Sequence, residues 1–209
     1  MPYVRQIGTS ASMDRLEKLM EERVRPGADK ARIDQRIWDL FGEEWAVMFT
    51  DLSGFSRRVA EFGIIHFLQV IFESQRVLGP CIDAHDGILL KMEGDSMLVI
   101  FRSVAKAAEC AIAMQRTLKE YNTKRSDAEK ILLCVGLGFG RLLRIGDSDV
   151  FGGEVNASSK LGEDTAKAWE IMVTGSVRDA LVDHPGIRFE PIDQVPPGAK
   201  AAFRLHYSL

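Results

Sequence analysis

The sequence predicts an α+β domain of the ferredoxin-like type: a split βαβ core with a mostly antiparallel sheet, extended by further strands and helices toward the C-terminus. Three observations lead there. An apolar run over residues 45–50 reads as a buried strand and stops on Asp51. GILLKME and SMLVIF flank Gly94-Asp95, the pattern of two short strands around a tight turn. Helical periodicity fills both remaining intervals, residues 55–78 and residues 103–122. The resulting order, strand, helix, strand, strand, helix, strand, is the split βαβ, with helices expected to cover one face of the sheet.

The elements follow in order. MDRLEKLMEERV carries Leu16, Met20 and Val24 at helical spacing, Pro26-Gly27 breaks it, and DKARIDQRIWDLF resumes with Ile33, Ile37, Trp38 and Phe41 on one side. These two helices form an N-terminal arm, residues 1–43, distinct in composition from residues 44–209. Residues 55–78 read as one long amphipathic helix interrupted by Gly63, and Ser103 is placed to cap the alanine-rich helix after it. ILLCVGLGFG and RLLRIG read as two strands, EVNASSKLGEDTAKA as a helix, EIMVTG as a strand, SVRDALV as a helix, and the tail as two strands.

Bulk properties exclude several classes of function. The chain has 209 residues, 46% hydrophobic and 27% charged, enough for one domain with a real core. A net charge of −3 argues against broad capture of nucleic acid. Cys81, Cys110 and Cys134 are far apart in apolar surroundings, without ligand spacing, and read as core thiols of a reducing compartment. No run is long and apolar enough for a signal peptide or a membrane helix, so the expected location is the cytoplasm, away from membranes. His66 and His85 lie beside apolar segments and read as structural; KEYNTKRSDAEK reads as a solvated loop.

In the predicted topology the first strand lies beside the hairpin, so Asp51 at its end and Asp95 in the turn can converge. Two adjacent carboxylates repel unless cations occupy the gap, and hard oxygen ligands suit Mg²⁺ or Mn²⁺. Ser53-Gly54 then offers a small-residue turn beside them, where backbone N–H groups at a helix start favour a triphosphate.

Taken together, these pieces resemble the catalytic domain of class III nucleotidyl (adenylate/guanylate) cyclases. The matching stretches are Phe49-Thr50-Asp51-Leu52-Ser53-Gly54-Phe55, Lys91-Met92-Glu93-Gly94-Asp95, residues 136–142 (GLGFGRL) and residues 149–161 (DVFGGEVNASSKL), in family order over roughly residues 45–205. The resemblance implies that Asp51 and Asp95 bind two divalent metals, with Leu52, Ser53, Gly54 and Phe55 along the substrate. It implies that Lys91 and Asp149 read the base; an ammonium paired with a carboxylate satisfies N1 and N6 of adenine and opposes guanine, so ATP is the expected substrate. Asn156 falls at the ribose-orienting position and Arg141 at a phosphate-contacting one, while Lys200 in PPGAK is a weaker candidate for the terminal phosphates. Lys160 stands where the family usually has an arginine at the transition state; lysine keeps the charge without the planar fork. The resemblance further implies a head-to-tail homodimer with sites shared between subunits. Two other readings stay open: a cyclase for another nucleoside triphosphate, and a catalytically weak domain that binds nucleotide and signals.

Overall fold

A computed structural model describes residues 10–54 and 60–208. Two charged helices come first. In α1 (Ala11–Arg23) the Ser10 side chain accepts from the Met13 N–H at 3.2 Å, and in α2 (Lys30–Phe41) Asp29 does the same for Arg32 at 3.1 Å. Each cap satisfies an amide that a helix start leaves open. Arg23 bonds Asp34 at 2.6 Å and Arg36 bonds Glu22 at 2.5 Å, tying the helices side by side. Leu19, Ile33, Ile37 and Phe41 form a small core of their own, closed by Ile145 from the central sheet.

The sheet is built from β1 (Gly42–Leu52), β2 (Ile88–Glu93), β3 (Ser96–Phe101), β4 (Leu133–Ile145), β5 (Asp149–Phe151), β6 (Ile171–Thr174), β7 (Arg188–Pro191) and β8 (Ala202–His206). Its order is β2-β3-β1-β4-β6-β8-β7, with β5 paired to β4. All pairings are antiparallel except β4 with β6. The first four strands with α3 (Ile64–Ala84) and α4 (Val104–Asn122) make the split βαβ. The predicted fold class therefore holds, with three differences.

The first concerns RLLRIG, which continues ILLCVGLGFG without a break: β4 runs thirteen residues, long enough to carry β5 beyond the body of the sheet. The second is the helix layer. Ala46, Met48, Leu52, Val99, Val135 and Leu137 pack with α3 and α4, but α5 (Gly153–Lys160) lies on the opposite face. Glycines permit that approach: a Cβ on Gly136 would stand 2.0 Å from the Ser158 carbonyl oxygen, and one on Gly138 2.5 Å from that of Glu154. Helices thus cover both faces rather than one. Third, the helix read in EVNASSKLGEDTAKA changes type midway, α5 passing into a π turn at Leu161–Thr165.

Other boundaries move less. Pro80 sits inside α3, which runs on to Ala84, and α6 (Gly175–Ala180) follows β6 directly. The helical part of KEYNTKRSDAEK ends at Asn122, which is buried and bonds both backbone groups of Ile131 at 2.8 and 2.9 Å, so this loop is anchored and only partly solvated. His66 and His85 bond the backbone carbonyls of Ala128 and Cys81 at 2.9 and 2.7 Å. Both are structural contacts, as read from sequence. The three cysteines are buried free thiols, and no described helix is long and apolar enough to cross a membrane.

Candidate active site

Strand pairing brings the two sequence-distant carboxylates to one sheet end. Thr50 pairs with Met97, so Asp51 projects just beyond that pair while Asp95 occupies the β2–β3 turn, where Gly94 takes φ +60°. The Thr50 hydroxyl accepts from the Met97 N–H at 3.2 Å and locks the register; Ser96 Oγ donates to Asp51 Oδ1 at 3.5 Å. Burial, then the Asp95 carboxylate, then Glu163, push the Asp51 carboxyl up to about 7. Oδ2 of Asp95 is shielded from solvent and accepts no hydrogen bond among the described residues.

That combination fits a hard divalent cation. Two carboxylates crowd together, one oxygen is orphaned, and a positive ion would satisfy both conditions. Among the described residues no three or more His, Cys, Asp or Glu side chains gather as a metal cage. Asp51 and Asp95 are therefore a two-carboxylate set, the kind that leaves remaining positions of Mg²⁺ to water and substrate phosphate.

Beside the carboxylates, on the same face of the sheet, lies a cavity of about 220 Å³ lined by Phe49, Leu98, Val150 and Val155 together with Lys91, Asp149 and Glu163. The register of β2 shifts between Leu89 and Lys91, a bulge of the kind that re-aims a side chain. The Lys91 ammonium bonds Asp149, and Glu93 stands 3.7 Å away. Asp149, then Glu93, hold the lysine above its ordinary range. Asp149 opens β5 opposite Ile145, and its second oxygen accepts from the Val150 N–H at 2.9 Å.

The remaining predicted residues are placed as follows. Asn156 and Lys160 share one side of α5; Asn156 Nδ2 donates to the Pro197 carbonyl at 2.8 Å and Lys160 Nζ to Asp164 at 2.8 Å. Lys200 follows the turn that holds Asn156. Arg141 lies elsewhere in the chain. It pairs with Glu44, seven positions along β4 from the partner of Asp51, about 23 Å at a normal strand rise, and stacks 4.8 Å over Trp38. The phosphate turn is also narrower than expected. Ser53 N–H is taken by the Leu132 carbonyl at 2.8 Å, and Leu52 is buried in the core. Gly54, at φ +83°, holds the turn open, and Phe55 lies outside the described residues. Sequence reasoning missed Glu163 and Asp164; their spacing of four from Ser159 and Lys160 was the available signal.

A profile of the adenylate and guanylate cyclase catalytic domain matches residues 42–207. The chain belongs to that family. This cyclase domain is 31% identical over 116 residues to a Rhizobium meliloti (strain 1021) protein with a provisional adenylate cyclase name, covering 56% of this chain and 20% of that one. It is 29% identical over 167 residues to an adenylate cyclase of Streptomyces coelicolor, covering 75% and 39%. The cyclase domain thus spans well under half the length of these curated relatives. Its fold is that of the adenylate/guanylate cyclase/hydrolase from Silicibacter pomeroyi, with a TM-score of 0.68 at 22% identity, covering 78% of this chain and 96% of that one.

Proposed function

We propose that the domain is an adenylate cyclase, converting ATP to 3′,5′-cyclic AMP and pyrophosphate. The observation that carries this reading is that one face of one sheet supplies both kinds of half-site, a crowded carboxylate pair and a cavity holding an ammonium–carboxylate pair. Asp51 and Asp95 would hold two Mg²⁺ or Mn²⁺ ions. When bound, such ions neutralise the triphosphate and make the ribose 3′-hydroxyl easier to deprotonate for in-line attack on the α-phosphorus. The apolar walls of Phe49, Leu98, Val150 and Val155 suit a flat base, and the Lys91–Asp149 pair offers it one donor and one acceptor. Adenine presents the complementary groups; guanine presents them reversed.

Lys91 and Asp149 reading the base, Asn156 orienting the ribose and Lys160 touching the phosphates would act in a site completed by a second copy of the chain. Supporting this, no hydrogen bond or ion pair among the described residues joins Asp51 or Asp95 to Asn156, Lys160 or Arg141. Ile65, Leu68 and Phe72 also leave an apolar stripe of α3 exposed, at 77%, 52% and 63%, and Leu89 and Met92 of the edge strand β2 are exposed as well. Such a stripe suits burial against another subunit. A reaction on ATP, in a chain with three reduced core thiols, belongs in the cytoplasm.

The test is a nucleotide panel with Mn²⁺ and identification of the products. Cyclic AMP formed well ahead of the cyclic products of GTP, CTP and UTP is expected. A preference for another triphosphate would retire the adenine reading of Lys91 and Asp149; nucleotide binding without turnover would favour a signalling domain.

A further inference from the structure

Asn156, Lys160 and Asp164 follow one another at intervals of four, forming a row along α5 and the π turn that continues it. Lys160 Nζ donates to Asp164 Oδ2 at 2.8 Å, and both side chains are about half exposed. An exposed pair of this kind adds little to stability, so stability alone does not account for it. Asp164 is presented by the π turn, where the Ala166 N–H closes on the Leu161 carbonyl at 2.8 Å; π turns within helices collect at functional sites. The neighbouring Glu163 bonds Ser159 Oγ at 3.0 Å instead.

An arginine fork is planar and pre-organised toward phosphate oxygens, whereas a lysine ammonium swings on a four-carbon stem. One carboxylate contact fixes the direction of Nζ and leaves two N–H groups free to donate. We propose that Asp164 is a positioning residue for Lys160, holding its ammonium in line with Asn156 so that it meets the nucleotide phosphates. The proposal rests on the cyclase reading above and deepens it: a lysine with a carboxylate four residues on replaces a lone arginine.

Steady-state rates with Mn²⁺ and ATP test this on the full chain, with melting curves to confirm folding. Asp164→Ala lowers kcat roughly tenfold and leaves KM within about twofold, since the contact would matter in the transition state. Asp164→Glu recovers most of the loss. In the Lys160→Arg background, measured against that variant's own rate, adding Asp164→Ala changes kcat by less than about twofold, because the fork needs no guide. Wild-type kcat in Asp164→Ala, or an equal loss in the Lys160→Arg background, overturns the proposal while the cyclase reading stands. A wild-type chain inactive on all four triphosphates overturns both.

Discussion

Lys91 and Asp149, 58 residues apart in the chain, are joined by an ion pair inside the cavity. The contact joins a bulge in the edge strand β2 to the first residue of β5, so the two residues proposed to read the base are held by different arms of the sheet. A preformed pair is oriented without a further ordering cost when the base arrives.

Lys91→Ala should raise KM for ATP roughly tenfold, because Asp149 loses its partner and the base loses a donor. The loss for GTP should be smaller or reversed. Steady-state kinetics with both nucleotides check this, and equal losses for the two would contradict it.

Asp51 gives a pH prediction with a definite sign. Its folded carboxyl titrates at about 7, raised from the ordinary aspartate value. The folded state therefore binds the proton more tightly than the unfolded chain, which titrates near ~4. The stabilising contribution is complete below that value and is lost as pH rises through about 7. Asp51→Asn should remove this dependence, melt higher than wild type at pH 8 without metal, and lower cyclase activity by roughly 100-fold or more. Melting curves at pH 5 and pH 8, with and without Mn²⁺, distinguish these effects.

The reach of the sequence differed between the parts of this site. Asp51 and Asp95 were legible because a strand ending on a carboxylate and a Gly-Asp hairpin each leave a local pattern, and the topology does the rest. Asp149 was legible only through the motif resemblance, because β5 is only three residues long, too short for periodicity, and exists through its pairing with β4. The single thirteen-residue β4 was read as two strands divided after Gly140, because no local pattern shows that the chain runs on there; Gly138, within the first of them, marks where α5 presses on the strand. Arg141 matched a motif, but its contact with Trp38 depends on how the arm docks, which no local pattern records.

Docking of the arm makes a further prediction. Ile145 is fully buried in the arm's core and pairs with Asp149 across the β4–β5 hairpin. Ile145→Ala should destabilise the domain by about 2–5 kcal/mol. It should also raise KM for ATP more than it lowers kcat, since the displaced residue belongs to the base end. Denaturant melts and kinetics together test this; an unchanged KM would uncouple the arm from the site.

Complementation tests the shared site. Asp51→Ala and Asn156→Ala should each lose nearly all activity, and a mixture should regain about a quarter of the wild-type rate if subunits exchange freely and only one repaired site forms per heterodimer. A mixture as inactive as its parts would mean that one chain builds the whole site.

The most direct measurement is a crystal structure with Mn²⁺ and a non-hydrolysable ATP analogue. Anomalous density for manganese between the Asp51 and Asp95 oxygens of one protomer is predicted, with the adenine against Lys91 and Asp149 of its partner. Carboxylates turned apart with no metal between them, in crystals that hold the analogue elsewhere, would contradict the account.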